Sequence, residues 1–413
     1  MLKTGEGGGK MSALKLLAVF AVLIIVQKLA KKLYWAILAS IVATVLLWLI
    51  PVKDCGIILW ISVKDWDNIQ VVLILYCITT LQRMLERRNQ LKAAQQDLNG
   101  IFNNRRVNAT LAPIFIGLLP SAAAVRICGE IVDDASGDRL DINEKSFVSS
   151  FYRHIPESCL PTYSSIIIMS QLSGVAVSSF LLGMLPMIAV LYILGYVFYI
   201  RRIPGATGQD PSHQKLKDTL HLFGHLWTLL AIILIILIFK VNTLLTIAAV
   251  TLAAFFVYRF KLKELPGLLK EGFEPVLIVN TILILVFKGY ILHTGVIDTL
   301  PELFSRLPVP TWLIFALIFF FGTLAASSTS IIAACTVVAF SSIPGAGMPL
   351  MVLLNCFSYA DMQITPTHVC LTVITDYFHT NLMGLIKKTL PVIACFCAAV
   401  AGYYLLLTGV FGL

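Results

Sequence analysis

Charge is what this sequence has least of. Only 13% of its 413 residues are Asp, Glu, Lys or Arg, whereas 58% come from the set A, V, I, L, M, F, W, Y and C, and the mean hydropathy is +0.88. Soluble domains carry about 25% charged residues, so these charges could not cover the two or three soluble domains that the length would otherwise allow. An ordinary cytosolic enzyme, a disordered chain and a nucleic-acid binder are excluded, the last despite a net charge of +9. Catalytic signatures are missing too. There is no G-x-S-x-G, no H-E-x-x-H and no Walker loop, so hydrolase, zinc-protease and ATP-pump chemistry is not signalled. The nine cysteines form no paired framework of the secreted kind. Most lie in apolar stretches and read as small buried thiols, Cys395 and Cys397 among them. The chain is not expected to be an enzyme, and no cofactor is expected beyond a coupling proton or Na+.

What remains is a succession of apolar runs, and the expected fold is an all-α polytopic membrane protein. A span needs about 20 mostly apolar residues to cross about 30 Å of hydrocarbon. Ten such runs occur: Leu14–Ala30, Trp35–Val52, Ile69–Leu85, Leu160–Val177, Ser178–Ile200, Leu220–Phe239, Leu244–Tyr258, Val276–Gly295, Leu350–Phe378 and Pro391–Leu413. No small-residue cleavage site follows the first run, which ends at Lys28, Lys31 and Lys32, so it reads as a span rather than a cleaved signal. Basic residues gather at Lys31/Lys32, Arg83–Arg106, Arg201–Lys217, Arg259–Lys270 and Lys387/Lys388, and positive loops face the cytoplasm. These clusters share one face only if the stretches 110–132 and 311–340 each enter and leave the membrane on one side. Two re-entrant hairpins follow, with both termini outside a cell (inner) membrane.

Internal similarity supports the same scheme. Gly117-Leu118-Leu119-Pro120-Ser121-Ala122-Ala123-Ala124 resembles Gly322-Thr323-Leu324-Ala325-Ala326-Ser327-Ser328-Thr329, and Leu160-Pro161-Thr162 resembles Thr365-Pro366-Thr367, both at an offset of 205 (117 to 322, 161 to 366). Each half holds five crossings and one hairpin, so the second half is inverted, as in many secondary transporters. Residues 1–200 form the first repeat, 201–219 a cytoplasmic linker and 220–413 the second repeat.

Broken backbone at membrane depth is tolerated only inside protein or beside a wet cavity. The hairpin tips and the two prolines, each lacking a donor, therefore mark the expected site. Its substrate-binding residues are Pro120, Ser121, Ala122, Arg126, Pro161, Thr162, Ser327, Ser328, Thr329, Thr365, Pro366, Thr367 and His368. Helix N-termini there favour an anion. Asp361, His368, Ser121 and Thr329 are the expected ion-coupling residues. The plainer readings are kinks at the prolines and close-packing faces for the small residues; the shared offset favours function. Glu157 and Arg153 are expected to pair, and Lys288 to snorkel. His221 and His225 read as interfacial packing, and the acidic loops at Asp65–Asp67 and Asp133–Asp138 as solvated.

Gly117-Leu118-Leu119-Pro120, Tyr152-Arg153-His154, Glu157 with Leu160-Pro161, and Thr365 to Leu371 resemble an uncharacterised prokaryotic integral-membrane family, a domain of unknown function. That family resembles the ion transporter superfamily of gluconate, citrate, dicarboxylate and lactate permeases. The resemblance implies a homodimer with a scaffold and a transport part that moves as an elevator. It also implies a Ser-Asn-Thr run at each tip for sodium and carboxylate; here the tips read Ser121-Ala122-Ala123 and Ser327-Ser328-Thr329, without Asn, so proton coupling is favoured over sodium. The expected function is secondary transport of a small anionic metabolite, an organic acid, with membrane lipid as surroundings and no nucleic acid. The alternatives are a channel or exporter for an inorganic ion, excluded by saturable counter-gradient-dependent flux, and an intramembrane lipid-modifying enzyme built on Arg126, Glu157 and His154, which requires a lateral opening and a divalent metal.

Overall fold

The computed structural model describes residues 6–90, 93, 104–118, 123–205, 215–305, 307–366 and 368–413. Among them stand nineteen α-helices. The first nine are α1 (Glu6–Ala30), α2 (Leu33–Trp48), α3 (Val52–Lys64), α4 (Trp66–Arg87), α5 (Arg105–Ile116), α6 (Ala123–Ser136), α7 (Ile142–His154), α8 (Ser164–Ser173) and α9 (Val177–Phe198). Then come α10 (Lys215–Leu234, prolonged by a π turn over Ile235–Phe239), α11 (Thr243–Val257), α12 (Leu265–Gly272), α13 (Pro275–His293), α14 (Leu300–Ser305), α15 (Thr311–Ala325), α16 (Ser328–Ser342), α17 (Met348–Met362), α18 (Val369–Tyr377) and α19 (Leu382–Gly409).

Six helices, α1, α4, α9, α10, α13 and α19, are long and apolar enough to cross a membrane. They turn large apolar side chains outward, including Leu17, Leu73, Leu185, Ile193, Leu234, Val279 and Leu405. Such exposure suits hydrocarbon, where an outward Leu costs nothing. The other expected spans are shorter or divided. α2 and α11 have 16 and 15 residues. The run Leu160–Val177 contains only the 10-residue α8, and Leu350–Phe378 is split into α17 and α18 by the stretch 363–368. Proline is the reason in both cases: Pro156, Pro161 and Pro366 offer no amide to continue a helix.

Both expected hairpin stretches fold back on themselves. The first begins earlier than residue 110, at Arg105, where Asn104 caps α5 by accepting from the amides of Arg106 and Val107. The second is α15 and α16, which turn at Ala326–Ser327; the Ser327 hydroxyl accepts from the Ser330 amide at 3.2 Å and caps α16. Two glycines permit the close approaches. A Cβ on Gly322 would lie 2.6 Å from the Ile331 side chain on the returning arm, and one on Gly117 would overlap the Arg153 carbonyl of α7.

The helices pack in two groups. In one, α4 contacts α11, α12 and α13, while α13 contacts α2 and α3, and α1 lies on α2. In the other, α5 and α6 pack on α7, α15 on α17, and α19 on both α7 and α17. The groups meet where α4 and α13 touch α8, where α13 touches α16, and where the π turn after α10 touches α9. Helices α7 and α17 form the centre of the second group: every residue from Ser146 to His154 and from Pro349 to Met362 is buried. A helix buried on all sides is surrounded by neighbours rather than laid on a surface.

Basic helix ends cluster. Arg83 pairs with Glu274 at 2.8 Å and Arg87 with Glu271, while Arg88 donates to the Tyr258 carbonyl; the C-terminal end of α4 thus meets the start of α13. Arg106 donates to the carbonyls of Ile203 and Arg201. At the start of α7, Asp141 and Glu144 form a capping box, and Lys388 of α19 bonds both carboxylates at 2.7 and 3.0 Å. Arg202 adds a second cation to Glu144 at 2.9 Å. Partial burial raises the Asp141 carboxyl, but the Lys388 hydrogen bond and the amides of Glu144 and Asn143 outweigh it and hold it below its usual range.

Two outcomes test this packing. Gly117→Ala should lower stability by about 1–3 kcal/mol, because the methyl meets backbone rather than a movable side chain; the thermal midpoint in detergent reads it. Lys388→Met should cost about 1 kcal/mol at neutral pH. A depressed carboxyl contributes stability above its unfolded pKa and loses it as pH falls through the folded one. The gap between variant and wild type should therefore close only below about pH 4, as followed in a pH series of melting curves.

Candidate functional site

The breaks and the second hairpin enclose a polar cavity of about 210 Å³, lined by Glu157, Tyr163, Ser164, Ser165, Thr323, Ser327, Ser328, Thr329, Asn355, Tyr359, Met362, Thr365 and His368. Three helices begin at its wall. Ser164 and Ser165 open α8, Ser328 and Thr329 open α16, and His368 precedes α18. Each start carries amides with no partner inside its own helix, and at α8 and α18 no side chain caps them. Neither Lys nor Arg is among the lining residues.

Side chains satisfy the backbone that the breaks release. Asn355 donates through Nδ2 to the Ser158 carbonyl at 2.7 Å, linking α17 to the 3-10 turn Pro156–Ser158. The Tyr163 hydroxyl donates to the Gly117 carbonyl at 2.6 Å and so ties the first break to the first hairpin. The Ser358 hydroxyl lies 2.8 Å from those of both Thr323 and Ser328, anchoring both arms of the second hairpin to α17. On one side stand two facing histidines, with His154 Nε2 and His368 Nε2 2.9 Å apart and their ring centroids 4.8 Å apart. His154 Nδ1 lies 2.6 Å from the Ser150 carbonyl, and its Nε2 lies 3.9 Å from Glu157 Oε2.

Of the residues expected from the sequence, Ser327, Ser328, Thr329, Thr365 and His368 meet at this cavity. Pro161 is buried in the first break. Thr162, also buried, lines a neighbouring cavity with Gln82 and Glu274, and its hydroxyl has no hydrogen-bond partner among the described residues. Pro366 is exposed. Arg126 is exposed on α6 and does not line the cavity, contrary to its expected role beside the substrate; five residues beyond the tip, it sits on the outward face of its arm. Asp361 is fully buried behind the cavity wall, and neither carboxylate oxygen has a hydrogen-bond partner among the described residues. Pro120, Ser121, Ala122 and Thr367 lie outside the described residues.

Sequence reasoning passed over Tyr163, Ser164, Ser165, Thr323, Asn355, Tyr359 and Met362. Asn355, Tyr359 and Met362 recur at i, i+4 and i+7, one face of α17, and an amide within an apolar run was itself a signal. Elsewhere, Lys288 points inward enough to donate to the Gln171 carbonyl at 3.3 Å, and His225 bonds Gln90 at 2.7 Å.

Long apolar helices with lipid-suited exteriors and a polar centre define an α-helical, membrane-embedded protein. The chain belongs to the family described as protein of unknown function (DUF401), whose model matches residues 11–407. No curated protein matches it.

The Asn355 bridge can be tested alone. Asn355→Leu leaves the buried Ser158 carbonyl without its donor, at an expected cost of about 1–3 kcal/mol. An unchanged thermal midpoint would show that another group takes the carbonyl.

Proposed function

We propose that the protein is a secondary transporter of a small organic anion, held in the cavity between the second hairpin and the two breaks. One observation carries the reading: three helix N-termini from separate parts of the chain stand at one polar cavity with no Lys or Arg among its described lining residues. Such amides bind an anion without a fixed cation, so the guest is held by groups that its departure does not leave as unpaired charge. A volume of about 210 Å³ equals about seven water molecules and suits a short carboxylic acid.

In this reading the two halves are inverted repeats. The order of elements supports it: α6 and α16 begin 205 residues apart (123 to 328), and so do α8 and α18 (164 to 369). The Arg83–Glu274 contact supports the inversion, since it sets the end of α4 against the start of its counterpart α13. The basic ends would face the cytoplasm of a cell membrane, with both termini outside. The group containing α5–α9 and α15–α19 would move as the transport part against the group containing α1–α4 and α10–α13, in an elevator cycle. Likeness to the ion transporter superfamily further suggests a homodimer. Protons are the favoured coupling ion: the buried Asp361 can take one up, whereas the tips lack Asn.

Uptake of labelled short-chain mono- and dicarboxylates into proteoliposomes, under imposed proton or sodium gradients, tests the proposal. Saturable uptake driven by the proton gradient is expected. Ser328→Ala should reduce uptake below saturation about tenfold. Flux that does not saturate and ignores the gradient would replace the transporter with a channel.

A further inference from the structure

Beside the cavity lies a group of side chains whose chemistry exceeds what an anion site needs. His154, His368 and Cys370 present ligand atoms all within 4.8 Å of one another, with Glu157 Oε2 3.9 Å from His154 Nε2. We propose that His154 Nε2, His368 Nε2 and Cys370 Sγ bind one divalent transition metal of the zinc class, with a fourth position left for water.

The His154 ring presents a free nitrogen to His368. The Nδ1–H of His154 donates to the Ser150 carbonyl at 2.6 Å, which leaves the lone pair on Nε2. A backbone acceptor behind a ring is the arrangement that orients metal-ligating histidines. That lone pair lies 2.9 Å from His368 Nε2, a hydrogen-bond distance that would have to open only slightly to reach the edge of about 3.3 Å between two nitrogens on one tetrahedral zinc. The donor set of two imidazoles and a thiolate suits zinc, cobalt or nickel rather than magnesium or calcium. Cys370 is the second residue of α18, and Arg153 Nη1 lies 3.7 Å from its sulfur, where it can balance the charge left when a metal displaces the thiol proton.

The ligands come from the end of α7 and the start of α18. A bound ion would therefore tie the two breaks together. The ion, the Cys370 thiolate and Arg153 together leave net positive charge beside the cavity, the sign that suits an anionic guest. The proposal does not require transport, and its test reads metal alone.

The full-length protein, purified on an affinity tag without histidine and stripped with chelator, is titrated with Zn2+ and, separately, Co2+. About one ion per chain is expected, with a thiolate-to-cobalt absorption band that Cys370→Ser abolishes and Cys128→Ser retains. His154→Gln should weaken Zn2+ binding at least tenfold. Zn2+ should raise the thermal midpoint of the wild type and not of Cys370→Ser. If His154→Gln fails to fold, the Cys370→Ser comparison decides alone, because that thiol is only half-buried. No stoichiometric metal, or binding that neither variant alters, overturns the proposal; failed anion uptake with intact metal binding would overturn only the transport reading.

Discussion

The structure depends on satisfying backbone that its own prolines have released at depth. Around Pro161 the chain leaves the helix inside a packed interior, where an amide or carbonyl without a partner costs several kcal/mol. The answer is a set of polar side chains on neighbouring helices. Asn355 reaches the Ser158 carbonyl, Tyr163 reaches the Gly117 carbonyl, and Ser358 holds Thr323 and Ser328. Each of these bonds crosses between elements distant in sequence. Repairing the breaks is thus also what draws the hairpins, α7 and α17 into one body.

The same constraint shapes the cavity. The starts of α8, α16 and α18 all lie at its wall, and at α8 and α18 no side chain caps the first amides. A site made of main-chain donors is rigid because the helices behind it are rigid. Its described lining holds no Lys or Arg; His368 and Glu157 are part of it, and Arg153 lies 3.7 Å from the neighbouring Cys370 sulfur.

Packing in two groups gives the arrangement a mechanical side. The group centred on α7 and α17 contains every described cavity-lining residue, and it meets the other group at contacts that include α4–α8 and α13–α16. The ion pairs of Arg83, Arg87 and Arg88 stiffen the α4–α12–α13 side, and the Lys388 pairs bind α19 to α7 within the other.

Much was legible in one dimension. Apolar runs mark helices because hydrocarbon demands a closed backbone and outward apolar side chains; prolines mark the breaks because they lack a donor; and small hydroxyl-bearing tips mark a turn at Ala326–Ser327. Those are local rules, and the sequence alone determined the helical class, the broken segments and Ser327, Ser328, Thr329, Thr365 and His368 as cavity residues. Which side of a helix faces the cavity is decided by rotation against neighbours, which no local rule sets. Tertiary structure alone therefore turned Arg126 outward, brought Asn355 and Tyr359 in, and set His154 against a histidine 214 residues away, because packing shape fixes a helix's rotation and sequence spacing does not.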